Sequence, residues 1–283
     1  MTIKRSGDIV LSSTSHNREF LMDMRYVPSE VEKQIILFIH GFKGFKDWGA
    51  FDLMADYFAK AGFVFAKMNF SHNGTTIDHP LDFADLKAFG NNNFTLEQGD
   101  IGSALDALLD SDFIEDTQAY FKKVYLLGHS RGGAAAILKA VSDNRISKLA
   151  TLAALNDLAS RYPQHLMDQW EVDGVLHIYN GRTEQQMPLY HQIVEDYHTN
   201  ESQLNVKDAI ERLNKPYIAI HGTSDETLPI SMLHEIKIWN DTVEIVEIDG
   251  ANHTFGSTHP YMQNELPKDM KIAVDHIIAY FEK

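Results

Sequence analysis

The sequence contains no cysteine. Disulfides, thiolate metal sites and cysteine nucleophiles are therefore excluded. Basic residues are few: 25 lysines and arginines stand against 40 aspartates and glutamates, a formal charge of −15. Such a charge repels nucleic acid and anionic membranes, so neither is expected as a partner. No apolar run reaches the ~18 residues of a membrane span. The first stretch, MTIKRSGDIVLSS, has two basic residues. It lacks the apolar run of ~7–15 residues that a secretory signal carries. A soluble, cytoplasmic protein is expected. Histidine is plentiful at 14 residues, yet no H-E-x-x-H or comparable spacing occurs. No metal and no cofactor is expected. No internal repeat or low-complexity segment is visible.

What is present is enough for a large core, with 44% hydrophobic and 11% aromatic residues in 283. Residues 8–13 and 18–27 read as two strands around a polar turn, and residues 28–33 as a polar connection. From residue 34 strands and helices alternate. Strands are predicted over 34–39, 63–68, 124–127 and 148–155. Helices are predicted from Phe51 to before Gly62, from a cap at Thr95 to Leu109, and from Ala134 to about Asn144. The pattern breaks between Asn156 and Leu213, which reads as a mostly helical insertion with room for a short hairpin. It resumes with strands at 216–220 and 243–248, and helices at 231–239 and 268–281. This is an α/β pattern, a mostly parallel sheet of eight strands with helices on both faces.

The most informative stretch is Lys123–Ala136, KVYLLGHSRGGAAA. A β-type run ends in a G-x-S-x-G turn and passes directly into a helical run. That context needs a sharp turn with Ser130 at its tip. Gly128 and Gly132 flank it because a Cβ there would crowd the adjoining strand or helix. A serine hydroxyl is a weak nucleophile unless a base takes its proton and a third group orients that base. Two later strands end in suitable turns. One continues into His221-Gly222-Thr223-Ser224-Asp225-Glu226, the other into Asp249-Gly250-Ala251-Asn252-His253. In a parallel sheet these turns open on the same edge as Ser130.

With IILFIHGFKG, KVYLLGHSRGG, YIAIHGTSDETLP and EIDGANHTF in that order, the chain resembles an α/β-hydrolase of the serine esterase type. The neighbourhood is that of the dienelactone-hydrolase-like and cinnamoyl/feruloyl-esterase-like proteins. The resemblance covers most of the chain and is weakest over 156–213. It implies a core of residues 1–155 and 214–283 and a cap or lid at 156–213. It implies Ser130 as nucleophile, His253 as general base and Asp225 as the acid that orients it, with Glu226 and Asp157 as rivals. The backbone N–H groups of Phe42 and Arg131 would form the oxyanion hole, Gly41 allowing the close approach. His40, His129 and His221 would pack loops. Trp170, Tyr179, Met187 and Tyr190 would line a substrate pocket or form the cap's own core. The implied activity is cleavage of small carboxylic esters through an acyl-enzyme. A thioesterase, a peptidase or amidase, and a non-catalytic binding protein are the alternatives. Three departures stand out. Dienelactone hydrolases use a cysteine nucleophile, absent here, and Arg131 replaces the glutamine or methionine common beside the serine. Asn69–Gly74 also stands where many relatives carry an aspartate–arginine–glycine loop.

Overall fold

The computed structural model describes residues 2–109, 117–159 and 162–283, with the backbone alone for residues 117–121. Two residues of the predicted insertion, 160 and 161, and the first residue of the chain lie outside the described residues.

The N-terminal strands are β1 (Lys4–Arg5), β2 (Ile9–Ser12), β3 (Glu19–Tyr26) and β4 (Ser29–Ile39). Helix α1 (Phe51–Lys60), strand β5 (Val64–Met68) and helices α2 (Leu86–Gly90) and α3 (Phe94–Leu109) follow. Next come β6 (Thr117–His129), α4 (Arg131–Ser142) and β7 (Ile146–Leu152). The chain ends with β10 (Tyr217–Gly222), α9 (Ser231–Trp239), β11 (Glu244–Ile248) and α10 (Lys268–Phe281). Between β7 and β10 lie α5 (Met167–Asp173), the antiparallel hairpin β8 (Val175–Asn180) and β9 (Gln185–Tyr190), and helices α6 (Gln192–Thr199), α7 (Glu201–Leu204) and α8 (Val206–Arg212).

One nine-stranded sheet runs in the order β1-β3-β5-β4-β6-β7-β10-β11, with β2 also on β3. The six strands from β5 to β11 are parallel, and β1, β2 and β3 join antiparallel. The sheet is thus α/β and mostly parallel. The ninth strand is β1, whose two residues pair with Tyr26 and Arg25. Residues 28–33 are not a loose connection, because β4 begins at Ser29 and pairs with the start of β6. Polar residues there are compatible with an exposed extension of the sheet.

Alternation along β4 explains the layering. Ile35, Leu37 and Ile39 face a core shared with α3 and α4. Ile36 and Phe38 face the opposite core, shared with α1 and α10. Both faces are covered, so the strand reads as an unbroken apolar run. The α3 start also differs from the prediction. Asn93 Oδ1 accepts the Leu96 N–H at 2.9 Å, and Asp196 accepts the N–H groups of Phe94 and Thr95. Asn93, rather than Thr95, therefore caps this helix. Among the described residues no helix is long and apolar enough to cross a membrane.

Beside β3 the sheet buries charge. Asp23 and Lys67 are cross-strand partners, and Lys67 is fully buried. Its ammonium donates to Asp23 and Asp47 and pairs with Asp52 at 2.7 Å. Lys46 meets Asp8, Asp23 and Asp47, while Arg25 meets Asp52 and Asp56. Burial pushes the Asp52 carboxyl up, but Lys67 and Arg25 outweigh it and bring it down to about 2. Replacing Lys67 by methionine leaves three carboxylates short of a cation. The expected loss of unfolding free energy is about 3–5 kcal/mol, readable by urea denaturation.

Candidate active site

Ser130 stands between β6 and α4 with φ 56° and ψ −122°. This is left-handed, strained backbone for a residue with a Cβ, and such strain concentrates at functional turns. Two glycines make the turn possible. A Cβ on Gly132 would lie 2.3 Å from the His40 carbonyl oxygen. One on Gly41 would lie 2.9 Å from the Ser130 Cβ. The loop after β4 is therefore pressed against the serine. Among the described residues neither the Phe42 nor the Arg131 backbone N–H has an acceptor. Both residues adjoin Ser130, and Phe42 shares a cavity with it.

The turns after β10 and β11 bring the other side chains in. His253 Nε2 lies 3.0 Å from Ser130 Oγ, and His253 Nδ1 lies 2.7 Å from Asp225 Oδ2. A carboxylate only accepts, so Nδ1 carries the proton and Nε2 is left to accept from the serine hydroxyl. The Asp225 carboxylate has no solvent exposure. Its Oδ1 accepts from the Thr227 and Leu228 N–H groups, both at 2.8 Å. Its Oδ2 also meets His221 Nε2 at 3.0 Å. Burial pushes this carboxyl up, but hydrogen bonds from His221, His253 and Leu228 outweigh it and hold it well below the ordinary range. The rivals are elsewhere. Glu226 is exposed, and Asp157 is exposed and accepts from Ala159 N–H.

The other histidines brace these turns. His129 Nε2–H donates to the His253 carbonyl at 2.9 Å, and burial lowers its pKa to about 3. His40 Nδ1–H donates to the Gly41 carbonyl at 2.9 Å, and burial lowers its pKa to about 4. His221 does more than pack a loop, since its ring meets the same Asp225 oxygen as His253. It stands at the end of β10, four residues before Asp225 in the turn that follows, a spacing visible in the sequence. The long 69–93 segment supports the same region. Asn69 Oδ1 accepts from Lys46 N–H, and Asn73 Nδ2 donates to the Gly44 carbonyl.

A cavity of about 300 Å³ opens at Ser130. Phe42, Trp48 and Phe51 supply apolar wall, and Lys43, Arg182 and Asn180 supply polar wall. None of Trp170, Tyr179, Met187 and Tyr190 lines it. Trp170 is buried against Tyr162 and donates to the Leu189 carbonyl. Met187 is fully buried, Tyr190 packs over Gly90, and Tyr179 is 56% exposed. Trp170 and Met187 join the core shared with the sheet, and Tyr190 packs against α2, so they tie the insertion to the rest of the fold. The hairpin instead reaches the cavity through Asn180 and Arg182, which follow Tyr179 into the turn. Asn180-Gly181 is a turn signal in the sequence, but nothing there marks where the turn points. Among the described residues no group of three or more His, Asp and Glu side chains is placed to hold a metal ion.

The Arg131 side chain has a clear place. It pairs with Glu97 of α3 at 2.6 Å, between the rings of Phe42 and Phe94. Asn92 also donates to Glu97 at 2.8 Å. Burial pushes the Glu97 carboxyl up, opposed by Arg131. Arg131→Met strands a buried carboxylate and should cost about 3–5 kcal/mol. Adding Glu97→Leu should recover most of that loss. A double-mutant cycle by chemical denaturation measures the coupling.

No family model matches the sequence, and no curated protein matches it. Solved structures do resemble it over nearly its whole length. Est1E from Butyrivibrio proteoclasticus superposes with a TM-score of 0.66 at 16% identity, covering 98% of this chain and 100% of that one. Its structure with ferulic acid bound gives 0.68 at 15%, covering 97% and 100%. The esterase domain from a Rhodothermus marinus protein gives 0.65 at 17%, covering 99% and 98%. Dienelactone hydrolase from Anabaena variabilis gives 0.63 at 15%, covering 97% and 96%. The chain has the α/β-hydrolase fold of these esterases and dienelactone hydrolases. At such identities the shared property is the fold.

Proposed function

We propose that this chain is a serine hydrolase that cleaves small carboxylic esters through an acyl-enzyme. The observation that carries this reading is the hydrogen-bonded series Ser130–His253–Asp225, at 3.0 and 2.7 Å. Ser130 Oγ attacks the ester carbonyl while His253 Nε2 takes its proton. Asp225 keeps the imidazole in the tautomer that can accept, and stabilises the imidazolium that forms. The Phe42 and Arg131 N–H groups receive the carbonyl oxygen as it becomes negative. The imidazolium returns its proton to the departing alkoxide. Water, deprotonated by His253, then attacks the acyl-serine, and the acid leaves. Residues 156–213 act as a cap, since Asn180 and Arg182 of that segment border the same cavity as Ser130. The ferulic acid carried by the Est1E structure is itself a small carboxylic acid, which fits ester cleavage in this fold.

A fluorophosphonate probe tests the reading. It should attach to Ser130 and to no other residue, as located by peptide mass spectrometry. A panel of p-nitrophenyl esters, acyl-CoA thioesters and amino-acid anilides should give the highest kcat/KM on the esters. An unlabelled protein that hydrolyses none of them sinks the proposal.

A further inference from the structure

We propose that Lys43 and Arg182 form an anion-binding subsite beside Ser130, so that the preferred ester carries a second, negatively charged group such as a carboxylate. This deepens the serine-hydrolase reading and rests on it. The first observation is one of contrast. The chain has a formal charge of −15. Yet among the described residues the cavity at Ser130 is bordered by Lys43 and Arg182, and by no aspartate or glutamate.

The second observation concerns pairing. Arg25, Lys46, Lys67 and Arg131 each meet at least one carboxylate. Among the described residues Lys43 and Arg182 meet none within ion-pair distance. Lys43 is half-buried, and a half-buried cation without a partner is unfavourable unless water or a ligand supplies the missing charge, while Arg182 is exposed and borders the same cavity. Burial lowers the Lys43 ammonium pKa, and no neighbouring carboxylate offsets it. A bound anion would reverse that shift.

The third observation is that both groups are held in place. Lys43 follows Phe42 directly and has φ 54°. That left-handed conformation is costly for a side-chain-bearing residue and fixes its position in the turn. Arg182 lies in the turn between β8 and β9, where its N–H donates to Asn180 Oδ1 at 3.2 Å. Its guanidinium stacks on Phe45 and Phe83 at 5.6 and 5.5 Å. Stacking occupies the faces of the guanidinium and leaves its N–H edge for a carboxylate or similar anion. Asp82 borders an adjoining open hollow with Arg182 but forms no ion pair with it among the described residues. His259 adds a donor to the same wall. Its Nδ1 accepts from Gly49 N–H at 2.9 Å, so the neutral ring carries its proton on Nε2. Burial and the Arg182 charge both favour that neutral ring.

The cavity, about 300 Å³, sits at the small end of ligand pockets, which span roughly 300–1,000 Å³. The charged group must therefore lie only a few bonds from the scissile carbonyl, on the acyl or the alcohol half. Two substrate pairs separate these cases. p-Nitrophenyl hydrogen glutarate against p-nitrophenyl pentanoate places the anion on the acyl side. 4-Acetoxybenzoate against phenyl acetate places it on the alcohol side. At low ionic strength at least one anionic member should exceed its neutral partner in kcat/KM on the order of tenfold. The Lys43→Gln/Arg182→Gln double variant should bring that ratio to about one, and Arg182→Glu should invert it. Taking the ratio within each variant cancels any shared loss of folded enzyme. The subsite is overturned if neutral members match or exceed both anionic ones in the unaltered protein, or if the double variant keeps the ratio. Neutral esters turned over without preference for the anion overturn the subsite alone. No turnover of any ester and no probe on Ser130 overturn the hydrolase reading, and the subsite with it.

Discussion

Replacing Ser130 by alanine should lower ester hydrolysis on the order of 10⁴-fold or more and abolish fluorophosphonate labelling. The reason is chemical rather than structural. Only the hydroxyl oxygen can form the acyl bond, and only it meets His253 Nε2. Alanine keeps the Cβ, so it keeps both the φ of 56° at the turn and its strain. The Gly41 contact with the Ser130 Cβ also survives. Thermal unfolding should therefore stay close to that of the unaltered protein while the rate collapses. Activity retained in Ser130→Ala would mean that the reaction runs elsewhere on the molecule.

Asp225→Asn should lower kcat by about 10³–10⁴-fold. The carboxylate accepts four hydrogen bonds, from Thr227 and Leu228 N–H on one oxygen and from His253 and His221 on the other. An amide has one accepting oxygen and one donating nitrogen. Two backbone N–H groups cannot reverse their role, so the amide oxygen must turn toward them. Its NH₂ then faces the histidines. His253 has to accept through Nδ1 and carry its proton on Nε2, where it can no longer take one from Ser130. The same substitution exposes a pH dependence. Burial raises the Asp225 carboxyl, but the hydrogen bonds hold its folded pKa below the unfolded value. Its contribution to stability is therefore complete above the unfolded pKa of about 4 and is lost as pH falls through the folded value. The stability difference between the unaltered protein and Asp225→Asn should be constant above about pH 5 and should shrink in acid. A difference that grows in acid would contradict the hydrogen-bonding account.

Much of the candidate site is legible in the chain because its signals are local. A buried parallel strand announces itself by an apolar run, and its C-terminal turn by glycine and polar residues. Ser130, Asp225 and His253 each sit in such a turn, and the structure brings the three together. The pocket wall was not legible in the same way. Tyr179 and Asn180 are adjacent, yet one is 56% exposed and the other is buried at the cavity. Successive residues of a strand face opposite sides, so a reading by residue type, one position off, selects the wrong face. Aromatic character pointed to Trp170 and Met187, but both are buried in the core that the insertion shares with the sheet, away from the cavity.

The sequence by itself determined the alternation of strands and helices, the turns that carry Ser130, Asp225 and His253, and the exclusion of thiol chemistry. These depend on residues close together in the chain. Tertiary structure alone decided the partners brought from far away. Arg131 meets Glu97 across 34 positions, and Lys67 meets Asp23 across 44. Lys43 and Arg182 border one cavity only because the hairpin turn and the loop after β4 come together there. Such pairings follow from strand order and from the direction in which each turn points. Both are set by packing across the whole sheet, and no local run of residues encodes them.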